Sequence, residues 1–185
     1  MRKVYIDLGT YDGDSIQQFK SGKLLQGISN IDEWEIFAFE PASRFDNTYP
    51  HTKKAAWIED GKSTLSIYGY DDLGSTIIEE NVGMGSDKKE EVETFDFSKW
   101  LKENFSWEDF IIVKFDIEGA EYFILERMIK DSTYKLVDML FVEFHDHDMP
   151  EIYQERRKKL ESLLKIRGWD GSTFEQINYG GFKEL

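Results

Sequence analysis

Two short segments of the same design constrain the fold of this chain most strongly. Each is an apolar, β-rich run that ends in an acidic residue and passes through glycine into a helix-like stretch. They read VYIDLGTYDGDSI at residues 4–16 and IIVKFDIEGAEYFIL at residues 111–125. In an open α/β sheet, ligands bind outside the carboxyl ends of the strands, so these two strand ends could border one crevice. The pattern predicts a site for a nucleotide-like cofactor.

The other apolar patterns alternate between strands and helices, which indicates βαβ organisation. The predicted strands are 3–8, 35–40, 53–58, 110–116 and 137–144, with an extra strand or hairpin formed by 63–70 and 91–95. The predicted helices are 14–25, 97–104, 118–130 and 151–167. The order predicts an α/β fold with a mostly parallel sheet.

Composition excludes several classes of protein. The 37 acidic and 23 basic side chains give a formal net charge of −14, which disfavours binding to nucleic acid. The chain has no cysteine, so disulfides, thiolate catalysis and cysteine-type zinc sites are excluded. Its 185 residues are 40% hydrophobic, and we expect one domain over residues 1–185. Without a secretory pattern or a long apolar run, we expect a cytoplasmic protein with no membrane span.

The turn after the first strand has the glycines that a ligand-binding turn needs. Gly9 and Gly13 let the backbone bend tightly, and the following helix N-terminus offers free N–H groups to an anion. The dinucleotide fingerprint GxGxxG is missing, because Tyr11 and Asp12 fill the turn. Asp7 and Asp12 add negative charge, which would repel a diphosphate and attract an ammonium or sulfonium group. A turn without any ligand remains the alternative.

The ends of the next two predicted strands carry further candidates for a nucleoside site. Glu40, followed by Pro41, could accept hydrogen bonds from the two hydroxyls of a ribose. Ala55, Ala56 and Trp57 could form a slot for adenine. A solvated glutamate and a plain buried strand are the respective alternatives.

Several motifs together resemble the FkbM family of S-adenosylmethionine-dependent methyltransferases. The similarity covers most of the chain, from about residue 4 to residue 178. The motifs are IDLGTYDGDS at 6–15, FEP at 39–41, VETFDFSKWL at 92–101, KFDIEGAE at 114–121 and VEFH at 142–145.

The resemblance implies a class I methyltransferase fold, which is Rossmann-like and doubly wound. Its mostly parallel sheet would have seven strands, including one antiparallel edge strand. The implied activity is methylation of a hydroxyl oxygen on a sugar or natural product, with S-adenosylmethionine as the methyl donor. The predicted cofactor contacts are Asp7, Gly9, Tyr11, Asp12, Ser15, Glu40, Pro41, Ala56, Trp57 and Asp116.

Methylation of an alcohol requires removal of the hydroxyl proton, and two strand ends offer groups for this step. We predict that Asp116 and His145 are catalytic: His145 takes the proton, while Asp116 orients the hydroxyl, the donor or a cation. Asp116, Glu143 and His145 could also hold Mg²⁺ or Mn²⁺. Glu118 is expected to cap the following helix, and Glu121 to lie at the surface or behind the site.

The acceptor is the least constrained part of the prediction. Ser75 and the aromatic residues Tyr68, Tyr70 and Trp107 could line its pocket. We expect the acceptor to be a hydroxyl of a small molecule or a glycan, and carbohydrate is the preferred class. Two other functions stay open, a noncatalytic cofactor-binding module and a nicotinamide-dependent oxidoreductase. A metallohydrolase that uses His145 and His147 is disfavoured, because the only other histidine, His51, lies far upstream.

Overall fold

The computed structural model describes residues 1–23, 31–68, 74–78, 88–145 and 150–166 of the chain. Within these ranges the strands are β1 (Lys3–Leu8), β2 (Trp34–Phe39), β3 (Ala55–Trp57), β4 (Gly61–Ser66), β5 (Lys89–Asp96), β6 (Phe110–Phe115) and β7 (Met139–Val142). The α-helices are α1 (Asp14–Lys20), α2 (Phe97–Asn104), α3 (Glu121–Asp131) and α4 (Ile152–Ile166). Short 3₁₀ turns lie at Ile31–Glu33, Ser43–Phe45 and Thr133–Leu136.

A four-stranded parallel sheet in the order β2-β1-β6-β7 forms the centre of the described fold. A second, three-stranded sheet has the order β3-β5-β4, in which β3 is parallel and β4 antiparallel to β5. A single bridge between Phe39 and Thr52 joins the end of β2 to the segment that leads into β3. Because β2, β1, β6 and β7 are parallel, their four carboxyl ends lie along one edge of the sheet.

The parallel sheet is buried on both faces, which explains why its strands read as nearly continuous apolar runs. Val4, Ile6 and Leu8 of β1 pack into a large core with α2, α3 and α4. Tyr5, on the opposite face of β1, stacks on Phe19 of α1 with ring centroids 4.2 Å apart. The period-2 alternation of a strand thus divides one apolar run between two cores.

The helix ends follow from local sequence. Asp96 caps α2 by accepting a hydrogen bond from the Lys99 N–H at 2.9 Å. Helix α3 begins only at Glu121, because Glu118 and Gly119 adopt positive φ angles of 53° and 100° that no helix can contain. It ends at Asp131, and the next residue, Ser132, has the left-handed conformation common after a helix.

The α/β class and the parallel central sheet are confirmed. Strand β1 and helix α2 have the predicted bounds, and α3 starts three residues later than predicted. The structure divides the seven strands between two sheets, so one continuous seven-stranded sheet is not confirmed. An antiparallel edge strand is present among the described residues, but it is β4 at the edge of the smaller sheet, and the four-stranded sheet is entirely parallel. The predicted helix ends at residues 25 and 167 lie outside the described residues. No described helix is both long enough and apolar enough to cross a membrane.

We expect Gly9→Ala to destabilise the protein strongly. Gly9 has a φ of +80°, and a Cβ there would lie 1.7 Å from the backbone oxygen of Asp116. The left-handed conformation and the overlap together should cost roughly 3 kcal/mol of unfolding free energy. Gly61→Ala is the matched control, since its Cβ would meet the Thr94 Oγ1 at an ordinary 3.7 Å. Urea unfolding of both variants checks this, and equal losses would contradict it.

Candidate functional site

A cavity of about 360 Å³ lies at the carboxyl edge of the parallel sheet. This volume is within the range of pockets that bind small molecules and cofactors. Its wall includes residues that follow β1, β2, β6 and β7, together with the start of β3. The lining residues are Leu8, Gly9, Thr10, Tyr11, Asp12, Asp14, Ser15, Phe39, Glu40, Pro41, Phe45, Lys54, Ala55, Ala56, Leu65, Ser75, Ile77, Lys114, Asp116, Ile117, Glu118, Ala120, Glu143 and His145.

The turn after β1 brings the neighbouring strand ends together. The backbone N–H groups of Gly9 and Thr10 both donate to the Phe39 carbonyl of β2, at 3.1 and 3.2 Å. On the other side, Gly9 lies against the backbone of Asp116, where no side chain would fit. Tyr11 has a φ of +53°, a conformation that costs a non-glycine residue energy and is often found at functional sites.

Glu40 is held on the cavity wall by two backbone groups. Its carboxylate oxygens accept hydrogen bonds from the N–H groups of Tyr11 and Ala42, each at 3.0 Å. The residue is 8% exposed, and burial raises the pKa of Glu40 above its ordinary value. Because each carboxylate oxygen has a second lone pair, Glu40 could also accept hydrogen bonds from a ligand diol.

Below the β1 turn, Lys114 joins two strand ends through a buried ammonium group. Lys114 and Asp7 are register partners in β6 and β1, and their side chains are 3.2 Å apart. The ammonium also contacts Asp116 at 3.1 Å and the Gly9 carbonyl at 3.0 Å. Burial opposes its charge, but the carboxylates of Asp116 and Asp7 raise the pKa of Lys114 above its ordinary value. Ser15 donates a further hydrogen bond to Asp7.

His145, after β7, lies at the acidic end of the cavity. Its Nε2 is 3.5 to 3.7 Å from one carboxylate oxygen each of three acidic residues, Asp116, Glu118 and Glu143. Its Nδ1 is 3.4 Å from Glu121. Carboxylates therefore surround both ring nitrogens, in a residue that is 8% exposed.

Glu121 connects helix α3 to the residues after β7. One of its carboxylate oxygens accepts the Gly119 N–H at 2.9 Å, and the other accepts the His145 N–H at 2.9 Å. The side chain is fully buried, so the surface alternative for Glu121 is wrong. A buried carboxylate needs such partners, and here they fix the main chain on both sides of the site.

The electrostatics of this end do not favour His145 as a base. Burial alone would lower the pKa of His145, but its contact with Glu121 and the charges of Glu118 and Asp116 raise it to about 10. The ring is then an imidazolium at neutral pH and has no lone pair for a proton. The role of His145 as the proton acceptor stays a prediction, and this raised pKa does not support it.

Glu118 has a different place from the one predicted. It does not cap helix α3, which begins three residues later. Its carbonyl accepts a hydrogen bond from the Thr76 hydroxyl at 2.5 Å, which holds the strained turn. Burial, together with the charges of Asp116 and other carboxylates, outweighs His145 and raises the pKa of Glu118 to about 7.

The same end of the cavity has oxygen and nitrogen donors of the kind that a divalent cation binds. Asp116, Glu118 and His145 each place one such atom within 4.8 Å of the others. The predicted set had Glu143 in place of Glu118. Binding of a cation at His145 would require the neutral imidazole, so the cation would compete with a proton there. The Mg²⁺ or Mn²⁺ site therefore stays a prediction.

Most of the predicted site residues line this one cavity, but some do not. Asp7 is buried beneath the wall, where it pairs with Lys114. Trp57 packs against Phe123 with ring centroids 5.1 Å apart and does not line the cavity. Trp107 is 70% exposed and also lies outside it, as does Tyr68. Tyr70 and His147 lie outside the described residues, while Gly9, Tyr11, Asp12, Ser15, Glu40, Pro41, Ala56, Ser75, Asp116, Glu143 and His145 line the wall.

Sequence reasoning missed Lys114 and Glu118 as members of the site. A lysine inside the apolar run IIVKF is a signal for a buried, paired charge. The signal for Glu118 is weaker, because an acidic residue before a helix is most often a cap. The left-handed turn that directs it to the cavity is visible only in the structure.

We expect His145 to make the stability of the protein fall as the pH rises. Its pKa is about 10 in the folded state and about 6.5 when unfolded, so the stabilisation is complete below pH 6.5 and is lost toward pH 10. In His145→Gln, this part of the pH dependence should disappear. Urea unfolding across that pH range measures it, with His51→Gln as the histidine control. An unchanged slope in His145→Gln would contradict the assigned charge.

Comparison with known proteins gives one family. Residues 45–165 match the family described as "Domain of unknown function (DUF7870)", a range that includes the acidic end of the cavity but not Gly9 or Glu40. No curated protein matches the chain, and no solved structure matches it. The resemblance to the FkbM family stays a prediction. Because the matched residues make up more than half of the 185, the chain belongs to the DUF7870 family.

Proposed function

We propose that this protein is an S-adenosylmethionine-dependent O-methyltransferase. The observation that carries the proposal is the meeting of the β1, β2 and β6 ends at one cavity, with Glu40 on its wall. The carboxyl edge of a parallel sheet is where α/β proteins bind nucleotide-like ligands. The order β2-β1-β6-β7 and helices on both faces support a class I methyltransferase fold.

The nucleoside part of the donor fits the β2 side of the cavity. Glu40 can accept hydrogen bonds from a ribose diol while its two backbone hydrogen bonds keep the carboxylate in place. Ala55 and Ala56 on one side, with Leu65 and Ile77 nearby on the wall, offer an apolar surface for adenine. Trp57, which packs against Phe123 and does not line the cavity, is not part of this surface.

The charge of the lining fits a sulfonium better than a diphosphate. Asp12, Glu40 and Asp116 all line the cavity, and each would attract a positive ligand and repel a phosphate. The donor supplies an electrophilic methyl group. The protein must then hold the acceptor oxygen in line with the bond between the sulfur and the methyl carbon, because positioning contributes much of the acceleration in such transfers.

The acceptor fits the end of the cavity that contains His145. Asp116 and Glu143 lie beside His145 there, and Ser75 also lines the cavity; these groups can hydrogen-bond hydroxyls. Asp116 is held by Lys114, so it is suited to orient a hydroxyl group. A neutral polyol such as a sugar meets these conditions, whereas a phosphorylated one would be repelled by the carboxylates.

Donor binding is the first test. Isothermal titration calorimetry with S-adenosylhomocysteine should show binding to the full chain. Glu40→Gln should weaken it about tenfold or more, because a charge-assisted hydrogen bond contributes roughly 1.5 to 3 kcal/mol. Trp57→Phe should bind like the wild type, since Trp57 does not line the cavity. No heat with this ligand would overturn the proposal.

Methyl transfer is the second test, and it separates the competing functions. With methyl-labelled donor and a panel of neutral mono- and disaccharides, we expect label in a product that is stable to base, as an ether is. Binding without transfer to any acceptor would favour a noncatalytic module. A rise in Tm with NAD⁺ or NADH but not with S-adenosylhomocysteine would favour an oxidoreductase.

A further inference from the structure

We propose that the acidic end of the cavity binds one divalent cation, of the Mn²⁺ type, through Asp116, Glu118 and His145. One oxygen from each carboxylate and one imidazole nitrogen lie within 4.8 Å of one another. All three residues also line the cavity, so an ion bound by them is open to a ligand there. The role of this cation in methyl transfer rests on the proposed function, but its binding does not.

The spacing of the donor atoms fits ligands of one ion. The His145 Nε2 is 3.5 Å from Glu118 and 3.6 Å from Asp116, which is longer than the usual N–H···O hydrogen bond of about 2.7 to 3.2 Å. With bonds of about 2.1 Å, two ligands of an octahedral cation are roughly 3 Å apart when adjacent and roughly 4.2 Å apart when opposite. The observed separations lie between these values, so small shifts bring the donors onto one ion.

The orientation of His145 is an observation separate from the acidic residues of the cavity. Its Nδ1 is 3.4 Å from the fully buried Glu121, while Nε2 is directed toward the cavity carboxylates. Metal-binding histidines almost always donate the second ring N–H to a carboxylate, a carbonyl or a water, which fixes the ring and leaves the other nitrogen for the ion. Glu121 also accepts the His145 main-chain N–H at 2.9 Å. Helix α3 therefore orients the histidine as a ligand.

The two carboxylate ligands are held from outside the cluster as well. In Asp116, Oδ2 contacts the Lys114 ammonium at 3.1 Å, and Oδ1 is the oxygen that lies near His145. The carbonyl of Glu118 accepts a hydrogen bond from the Thr76 hydroxyl, which fixes the turn that carries this side chain. Ligands held by such contacts bind a metal with less loss of freedom.

The charges around the ring also favour a dication. Besides Asp116 and Glu118, Glu143 has a carboxylate oxygen 3.7 Å from the His145 Nε2. Three carboxylates repel one another at this spacing, and a proton on the ring supplies only one positive charge against them. A divalent cation supplies two.

The mixture of ligands favours Mn²⁺ over Mg²⁺. Mg²⁺ is bound mainly by oxygen and keeps several waters, whereas imidazole suits transition metals and carboxylates suit Mn²⁺. The chain has no cysteine to favour a softer metal. Coordination positions not taken by Asp116, Glu118 and His145 would face the cavity. A hydroxyl bound there would lose its proton more easily, because a metal ion lowers the pKa of a bound oxygen.

Electron paramagnetic resonance tests the inference, because Mn²⁺ loses the signal of the free ion when it binds. The full chain is first treated with a chelator and then titrated with Mn²⁺. We expect one site per chain, and Mg²⁺ should compete about tenfold less well or worse. His145→Gln, Asp116→Asn and Glu118→Gln should each weaken Mn²⁺ binding about tenfold or more, since even a residue that only supports a ligand contributes that much.

Glu103→Gln, an exposed substitution on α2, is the matched control for the lost carboxylate and should bind Mn²⁺ like the wild type. Far-UV circular dichroism shows that each variant is folded. Electron spin echo spectra of bound Mn²⁺ should contain a ¹⁴N modulation that disappears in His145→Gln. Several weak sites that His145→Gln reduces no more than Glu103→Gln would overturn the inference, and so would equal affinity for Mg²⁺.

Failure of this inference is distinguishable from failure of the proposed function. Calorimetry with S-adenosylhomocysteine in the presence of a chelator tests the function alone, and Mn²⁺ binding without the donor tests the cation site alone. If both hold, the chelator should abolish transfer of label to the saccharides and Mn²⁺ should restore it, with donor affinity unchanged. Full transfer in the chelator would overturn the role of the cation in the reaction.

Discussion

The site depends on the buried ammonium of Lys114, which holds the ends of β1 and β6 together. A charge with 2% exposure is costly, and it is stable here because Asp7, Asp116 and the Gly9 carbonyl all surround it. Removing one partner would leave another charge buried and unpaired. The same group contacts the Gly9 carbonyl in the turn after β1 and the Asp116 carboxylate after β6, so it supports two parts of the cavity wall.

Above this support the cavity has an uneven distribution of charge. Toward β2, backbone N–H groups hold Glu40 beside an apolar wall. Toward β7, acidic groups surround His145, and a positive charge on its ring offsets the repulsion between these carboxylates. Under the proposed function, the first half would bind the nucleoside of the donor and the second half would bind the acceptor. Through its hydrogen bonds to the Gly119 and His145 N–H groups, Glu121 fixes the turn after β6 and the residues after β7 relative to helix α3.

The sequence was sufficient for the architecture of the parallel sheet and for the edge at which the site lies. Strong apolar runs predicted β1 and β6, and the acidic residues at the ends of predicted strands, together with the Gly9 turn, predicted that Gly9, Glu40 and Asp116 would lie on one cavity. Side-chain direction could not be predicted. Trp57 follows two cavity residues but points to the core, and Glu118 is directed inward by a backbone conformation that its residue type disfavours. Charge states were also out of reach, since they depend on groups distant in the chain.

Thr76 links the smaller sheet to the acidic end of the cavity. Its backbone pairs with Ser66 at the end of β4, while its hydroxyl binds the Glu118 carbonyl. The hairpin strand is therefore mechanically linked to the turn beside the acidic cluster. Because Ser66 is remote from every charged member of that cluster in sequence, substitutions in β4 should shift the Glu118 turn without changing any of those charged residues.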